Sequence, residues 1–329
     1  MTGDRVNAPQ MLIADDALIP IFNQLSSIGH TDRLDLFIYT RGGVMMSSFR
    51  IAKLLREFGN HLGVIVPYRA HSGGTQICAG ANEIIMTKMA ELGSVDPATS
   101  NEFNPYDQLT KRRINISVED VSNFLKLAED TAGLVSEDSK LAVFMKLVEQ
   151  THGLALGNVN RVSGVVRILV RELLMLHMDK IKDASKIIRI AKKLTQFYTH
   201  DYLITRDEAK RIGLNVVKPD DALEKLIMTL YQEYADDLKL QRPFDAFEAL
   251  GDQQFKEINH KLAFVESTSD SWVYIAPASV SIPQAQPQMA QLPGMPQPTA
   301  IVPDRRALPL IVSFKQGRWV KIADAPDCV

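Results

Sequence analysis

The sequence predicts an α/β fold built around a parallel sheet, and three observations lead to that prediction. Between Asp15 and Met86, segments with helical apolar spacing alternate with short apolar runs typical of buried strands. Such alternation is typical of βαβ units with right-handed crossovers. Two glycine-rich turns follow consecutive predicted strands, where parallel sheets bind their ligands. The composition, 46% hydrophobic and 23% charged among 329 residues, is that of a folded globular protein.

Residues 12–217 are predicted to form this α/β domain, and its elements follow from the apolar spacing. The expected helices are Asp16–Ile28, Met45–Phe58 and Ser72–Ala81, and the expected strands are Leu34–Thr40, Leu62–Val66 and Glu83–Met86.

A long helical insertion is predicted within the domain, over residues 106–195. No strand of convincing alternation occurs there, whereas apolar residues recur at helical spacing in three segments. These segments are Ser117–Ala128, Glu137–His152 and Arg161–His177. Residues 218–265 are predicted to add an acidic helical extension.

Charge is unevenly distributed, although the formal net charge of the chain is only −2. Residues 161–193 hold nine Lys or Arg against three acids, and residues 220–260 hold ten acids against four basic residues. We interpret both as solvated helix faces that can pair with each other or with a second subunit. A nucleic-acid partner is not expected, because no aromatic residues interleave the basic ones.

A small β element is predicted at the C-terminus, over residues 266–329. It is interrupted at 277–304 by a Pro- and Gln-rich linker, which holds seven of the chain's 16 prolines and cannot form a core. Two similar strands, Trp272–Ile275 and Trp319–Ile322, flank the linker. The second strand follows Leu308–Phe314 across a short turn, which predicts a hairpin.

The expected compartment is the cytoplasm. Cys78 and Cys328 are the only cysteines and are far apart, so a disulfide framework is absent and a reducing environment fits. The first ten residues contain no apolar run of the signal-peptide type. No stretch of about 18 apolar residues occurs anywhere, so no transmembrane segment is expected.

Two glycine-rich turns carry the candidate chemistry. The first, Tyr39-Thr-Arg-Gly-Gly43, permits positive φ and leaves amide N–H groups at the sheet edge. The second, Ala70-His-Ser-Gly-Gly-Thr75, places Ser72 where a strand meets a helix, so that developing negative charge is favoured beside its hydroxyl. Taken alone, the first turn is more typical of a plain tight turn, and the second is more typical of an N-capping serine. Their occurrence one βα unit apart favours a nucleophile beside an oxyanion site.

These ordered motifs resemble a known superfamily. Thr40-Arg-Gly-Gly43 followed by Ala70-His-Ser-Gly-Gly74 is similar to the paired turns of the Clp-protease and crotonase-fold peptidases. The closer resemblance is to the serine dehydrogenase proteinases, distant relatives of the Clp proteolytic subunit and of signal peptide peptidase A. Further matching signatures are Asn82-Glu-Ile-Ile-Met86, Leu92-Gly-Ser-Val-Asp-Pro97, Thr199-His-Asp-Tyr-Leu-Ile-Thr205, Glu208-Ala209 and Gly213-Leu214. The resemblance covers residues 12–217 and implies a Clp/crotonase-type superhelix of ββα units.

The resemblance also implies roles for individual residues of a serine peptidase. Ser72 is the implied nucleophile, and the amides of Gly43 and Gly73 are the implied oxyanion hole. A Ser, Asp, His triad in that chain order selects Asp96 and His200. Substrate-binding positions fall on Arg41, Gly42 and Gly74. Arg41 replaces the family's usual proline and favours an acidic group in the substrate.

Alternatives stay open for the base and the acid. When Thr199–Ala209 is aligned with the Clp proteolytic subunit, Asp201 falls on that enzyme's catalytic aspartate and Asp96 falls near its histidine. A Ser–Lys dyad, as in signal peptide peptidase A, would instead pair Ser72 with Lys111.

Other classes of function compete with the peptidase. A non-catalytic member could serve as an oligomeric scaffold that binds a protein partner through its C-terminal segment. A crotonase-like acyl-CoA enzyme needs no serine nucleophile, so the Ser-Gly-Gly-Thr turn argues against it. No metal or cofactor is expected, because the histidines and cysteines lack ligand spacing and no Walker-type or dinucleotide fingerprint occurs. The expected partners are a peptide or protein substrate and further copies of the chain in a homo-oligomer.

Overall fold

The computed structural model describes residues 1–2, 5–95, 98–99, 101–196, 202–283, 288–290, 299–301 and 308–328. The chain divides into two compact units, which we call the N-terminal unit (residues 12–229) and the C-terminal unit (residues 230–329 with 1–11). In the N-terminal unit, helices alternate along the chain with the strands of a parallel sheet. The predicted α/β class is therefore confirmed.

The elements are numbered in chain order. The helices are α1 (Leu18–Ile28), α2 (Met45–Phe58), α3 (Gly73–Ala79), α4 (Val118–Lys126), α5 (Glu137–Gln150), α6 (Gly153–Leu174), α7 (Ala184–Leu194), α8 (Arg206–Ile212), α9 (Asp221–Asp237) and α10 (Ala246–Leu250). The first strands are β1 (Thr31–Phe37), β2 (Gly59–Val66), β3 (Arg69–Ala70), β4 (Glu83–Met86), β5 (Glu91–Gly93), β6 (Ala98–Thr99), β7 (Tyr106–Asp107), β8 (Arg112–Arg113) and β9 (Ile116–Ser117). The remaining strands are β10 (Leu203–Thr205), β11 (Val216–Val217), β12 (Phe255–Glu266), β13 (Ser271–Ser281), β14 (Gln288–Ala290), β15 (Thr299–Ile301), β16 (Ile311–Phe314) and β17 (Arg318–Lys321).

A four-stranded parallel sheet forms the centre of the N-terminal unit, in the order β1-β2-β4-β11. Leu62, Val64 and Val66 of β2 have no exposed surface. Gly63, on the opposite face, is buried as well, as expected where both faces of a parallel sheet are covered. The helix Met45–Phe58 and the strand Glu83–Met86 have the bounds that their apolar spacing predicts.

A second small sheet carries the candidate site. Its order is β10-β5-β3, in which β3 and β5 are parallel and β10 is antiparallel to β5. In this register Ala70 pairs with Leu92, and Leu203 pairs with Gly93. The sheet therefore places the chain before Ser72 beside β5, whose other edge pairs with β10.

The region predicted as a helical insertion is mostly helical in its described part, from α4 to α7. Two short antiparallel pairings, β6 with β9 and β7 with β8, precede the helices and were not predicted. Two-residue strands are too short to produce an alternating pattern. Of the helices described, none has both the length and the hydropathy needed to cross a bilayer.

The helical extension predicted at 218–265 is wrong over its last part, because Phe255–Glu266 is a strand. Strand β12 pairs antiparallel with β13 and begins the sheet of the C-terminal unit. The signal was the alternation of Ile258, His260, Leu262 and Phe264, all of which are buried. The nearby acidic residues favoured the prediction of an acidic helix, so this two-residue alternation was not recognised.

The hairpin predicted near the C-terminus is also wrong. β16 and β17 do not pair with each other in the described structure; both pair with β13, at Ala278–Ser281 and at Trp272–Ile275. They form one interrupted antiparallel edge rather than a hairpin. Gly317 lies in the interruption, where a Cβ would collide with the Tyr274 ring and the Ile275 carbonyl. β13 runs to Ser281 and so includes the first residues assigned to the linker.

His260 is a buried titratable group in the C-terminal unit. The side chain is 1% exposed, contacts the Phe244 ring edge-on with centroids 4.7 Å apart, and leaves Nε2 without a partner among the described residues. Burial lowers the pKa of His260 to about 4, and the charges of Arg5 and Lys239 contribute in the same direction. The folded C-terminal unit therefore favours the neutral form of the His260 imidazole.

We expect the C-terminal unit to lose stability as pH falls from about 6.5 toward 4. Between these pH values His260 binds a proton in the unfolded chain but not in the folded unit, so protonation favours unfolding. Above the unfolded pKa the folded unit has its full stability. By pH 4.5 the loss is on the order of 2–3 kcal/mol, because this pH lies about two units below the unfolded pKa and one pKa unit corresponds to about 1.4 kcal/mol. Urea unfolding at pH 7 and 4.5, followed by tryptophan fluorescence, measures it, since both tryptophans lie in β13 and β17.

The variant His260→Phe should remove most of this pH dependence, and His30→Phe, at an exposed histidine, should retain it. An unchanged pH dependence in His260→Phe would show that another group causes the acid sensitivity.

Candidate active site

Ser72 lies in a strained turn between β3 and α3. Its φ of 47° and ψ of −105° belong to a region that L residues rarely adopt. Gly74 N–H donates to the His71 carbonyl over 2.7 Å and closes the turn, and Gln76 N–H donates to the Ser72 carbonyl over 3.0 Å. A sharp strand-to-helix turn of this kind presents a serine hydroxyl above a sheet.

The first glycine-rich turn is bonded directly to this second turn. His71 N–H donates to the Thr40 carbonyl over 3.1 Å, and Thr40 N–H donates to the Arg69 carbonyl over 2.9 Å. Inside α3, the buried Thr75 hydroxyl donates to the Ala70 carbonyl over 2.7 Å. These bonds determine the path of the chain on both sides of Ser72.

Gly42 and Gly74 make this close approach possible. Gly42 has a φ of 109°, and a Cβ on it would lie 2.8 Å from Ser72 Cβ and 2.9 Å from the His71 carbonyl oxygen. A Cβ on Gly74 would lie 2.6 Å from the Thr40 methyl group. Both glycines are buried, whereas Arg41 is exposed. Their roles in substrate binding stay predictions.

The amides of Gly43 and Gly73 lie next to each other. Ile13 pairs with the first turn through the Gly42 carbonyl and the Val44 N–H, at 2.8 and 2.7 Å, so the Gly43 N–H points away from Ile13. A Cβ on Gly73 would be 3.3 Å from the Gly43 nitrogen. Neither N–H donates to another described residue. Two such donors beside a serine can bind a negatively charged oxygen.

His71 precedes Ser72 and belongs to a charged cluster. Its Nε2 lies 3.1 Å from Glu91 Oε1, which also accepts from Arg69 Nε over 3.1 Å. Burial lowers the pKa of His71 below its ordinary value, the Glu91 carboxylate acts in the opposite direction, and Arg69 adds to the lowering. The neutral imidazole is therefore favoured, and it fills the space beside Gly93.

Asp96, His200 and Asp201 lie outside the described residues. Two hydrogen bonds anchor the described chain before Asp96. Val95 N–H donates to the Leu194 carbonyl over 2.8 Å, and the Thr75 hydroxyl accepts from Gly93 N–H over 3.0 Å.

Lys111, the candidate base of the alternative dyad, lies in the turn between β7 and β8. It is exposed and has a φ of 55°. A lysine acts as a base when burial keeps it uncharged. Among the described residues, no group of three or more His, Cys, Asp or Glu is arranged to hold a metal ion.

The sequence reasoning missed the residues that support the turn. The Glu91 and Arg69 pair follows from the register of β3 against β5, and Thr75 connects that sheet to α3. Only the threonine left a signal, as the last residue of the Ser-Gly-Gly-Thr motif. A register between strands of two and three residues cannot be read from sequence spacing.

The fold and the two glycine-rich turns indicate a ClpP-like serine proteinase, and comparison with known families supports this class of protein. Residues 15–126 match the family of ClpP-like SDH-type serine proteinases, so the predicted resemblance is confirmed over this range. The family is one of serine proteinases. Ser72, Gly43 and Gly73 fall within the matched residues.

Two uncharacterised proteins of Methanocaldococcus jannaschii are similar to the chain. One is 30% identical over 201 residues, which are 61% of this chain and 58% of the relative. The other is 34% identical over 184 residues, which are 56% of this chain and 51% of the relative. The chain thus spans a little over half the length of the curated relatives it matches.

We expect Gly42→Ala to disrupt the site. A methyl group there would collide with Ser72 Cβ and the His71 carbonyl at a φ that favours glycine, so the loss of stability should be about 1–3 kcal/mol. Gly157→Ala is the matched control, because that glycine lies in α6 with nothing within 4 Å of its Cβ position. It should be neutral or stabilising. Urea unfolding measures both, and equal behaviour of the two variants would contradict the proposed packing of the turns.

Proposed function

We propose that the chain is a serine peptidase that forms an acyl-enzyme on Ser72. The observation that carries the proposal is the strained Ser72 turn beside the two amides of Gly43 and Gly73, which have no acceptor among the described residues. The match of residues 15–126 to a family of serine proteinases supports the same chemistry. The fold by itself would not support this chemistry, because one fold serves many functions.

The first half of the proposed reaction acylates the enzyme. Ser72 Oγ attacks the carbonyl carbon of the scissile peptide bond, and His200 accepts the hydroxyl proton. The carbonyl oxygen becomes an oxyanion that accepts from the Gly43 and Gly73 N–H groups. The C–N bond then breaks, and His200 returns the proton to the leaving amine.

The second half releases the acyl group. A water molecule attacks the ester carbonyl while His200 accepts its proton, and the same two amides bind the oxyanion again. The ester bond breaks, Ser72 Oγ recovers the proton, and the carboxylic acid leaves. In this scheme Asp96 orients the imidazole of His200.

The acid and the base keep their alternatives. Asp201 replaces Asp96 if the alignment with the Clp proteolytic subunit holds. Lys111 replaces His200 if the chain uses a Ser–Lys dyad, and its exposed position is unfavourable for that role.

A peptide or protein is the proposed substrate. The exposed Arg41 follows Thr40 of the first turn, so an acidic group in the substrate is favoured near the oxyanion site. Gly42 and Gly74 would act by keeping the two turns close enough for both amides to reach one oxygen. The enzyme would act in the cytoplasm as a homo-oligomer, without a metal or cofactor.

Covalent labelling tests the nucleophile. Wild-type protein should react with a fluorophosphonate probe, and Ser72→Ala should not, because Ser72 is the activated hydroxyl. Ser27→Ala, at an exposed serine of α1, is the control and should label like wild type. Intact mass and peptide mapping measure the adduct. Equal labelling of Ser72→Ala would refute the assignment, and unlabelled wild-type protein would favour the scaffold function.

Substitution of the candidate bases tests the proton transfer. His200→Ala should lower kcat/KM for a fluorogenic peptide by about 10²–10⁴-fold, since a general base contributes a factor of that size. Lys111→Ala should stay within about twofold of wild type, because Lys111 is exposed and lacks the burial that activates a lysine base. The reverse outcome would replace the triad by the dyad.

Asp96→Asn and Asp201→Asn form a matched pair in the same assay. Only the carboxylate that orients the imidazole should matter strongly, so the two losses should differ. Similar losses would leave neither aspartate as the unique orienting residue.

A further inference from the structure

The helices α4 to α7 expose an apolar groove. A cavity of about 710 Å³ lies between them, and a second of about 470 Å³ adjoins it through shared lining residues. Leu125 and Phe144 line the first cavity and are 38% and 47% exposed. Exposed apolar surface of this kind usually marks an interaction site.

Basic residues line this groove, and Lys126 is one of those in the first cavity. Arg167 and Lys192 line both cavities, and Arg171 lines the second. No Asp or Glu is among the described residues that line either cavity. A partner that fits must therefore combine an apolar surface with negative charge.

Helix α9 has the complementary surface. Leu223, Leu226 and Leu230 lie on one face and are 39%, 68% and 42% exposed, whereas Ile227 and Tyr231 on another face are buried. The spacing of three and four residues makes the leucines a continuous stripe. Toward the C-terminal end of the helix, the exposed residues include Glu233 and Asp236.

We infer that α9 of a second copy of this chain binds in the groove. The leucine stripe would cover the apolar lining, and Glu233 and Asp236 would meet Arg167 and Arg171. An amphipathic helix in an apolar groove is a recurring mode of recognition. An anionic bilayer is a poorer fit, because the surface is concave and Glu129 lines a further cavity beside Phe144. The inference does not depend on the proposed peptidase activity.

The oligomeric state tests the apolar part of this interface. Wild-type protein should be an oligomer by light scattering and should dissociate more readily at high salt, which screens the charge pairs. Leu226→Glu should raise the dissociation constant at least tenfold. Gln108→Glu adds the same charge at an exposed position between β7 and β8, which lines neither cavity, and should behave like wild type. Oligomers of Leu226→Glu as stable as wild type would overturn the interface.

Charge reversal tests the pairing itself. A double variant Arg167→Glu/Arg171→Glu and a double variant Glu233→Arg/Asp236→Arg should each fail to self-associate. Their mixture should form hetero-oligomers, because the reversed groove of one copy then matches the reversed helix of the other. A mixture that stays monomeric would overturn the proposal.

Vesicles provide the competing outcome. Wild-type protein that is monomeric, and that sediments with phosphatidylglycerol vesicles but not with phosphatidylcholine vesicles, would assign the groove to membranes and overturn the proposal. Ser72→Ala should associate like wild type, which separates this result from the test of catalysis.

Discussion

The contact between the two glycine-rich turns is the constraint on which the candidate site depends. The His71 N–H to Thr40 carbonyl bond joins them, and Gly42 leaves room for Ser72 Cβ. The first turn follows β1 of the four-stranded sheet, the second follows β3 of the small sheet, and the parallel bridge of Thr40 with Ala70 joins them before any side chain acts. The amides of Gly43 and Gly73 are then adjacent as a consequence of backbone geometry. No flexible side chain has to be ordered to form the two donors.

This arrangement has an energetic cost within the N-terminal unit. Ser72 has an unfavourable backbone conformation, of a kind that costs about 1–3 kcal/mol. One helical turn later, Gln76 is fully buried, and its side-chain amide has no partner among the described residues. Each unpaired buried group costs about 1–3 kcal/mol as well. The hydrogen bonds of Thr75 and the apolar core around β2 offset these terms, so strain at the site is supported by packing elsewhere.

The C-terminal unit follows different rules. Its sheet is antiparallel, and β13 is central because β12 pairs with one edge and both β16 and β17 pair with the other. Pro277 lies within this strand. Its carbonyl accepts a hydrogen bond from Lys315 N–H over 2.8 Å, so the proline deprives the sheet only of a backbone donor. The buried His260 makes this unit sensitive to acid.

The sequence by itself determined the elements whose apolar period is long and regular, such as Met45–Phe58, and the turns whose glycines mark a close approach, such as Gly42 and Gly73. It also indicated the family, because several ordered motifs are more specific than one. Tertiary structure alone decided which strands pair. The strand at Phe255–Glu266, the shared edge of β13, and the contact of His71 with Glu91 depend on register between segments far apart in sequence. Local sequence patterns indicate which face of a segment is buried, but the segment that covers this face depends on the fold of the whole chain.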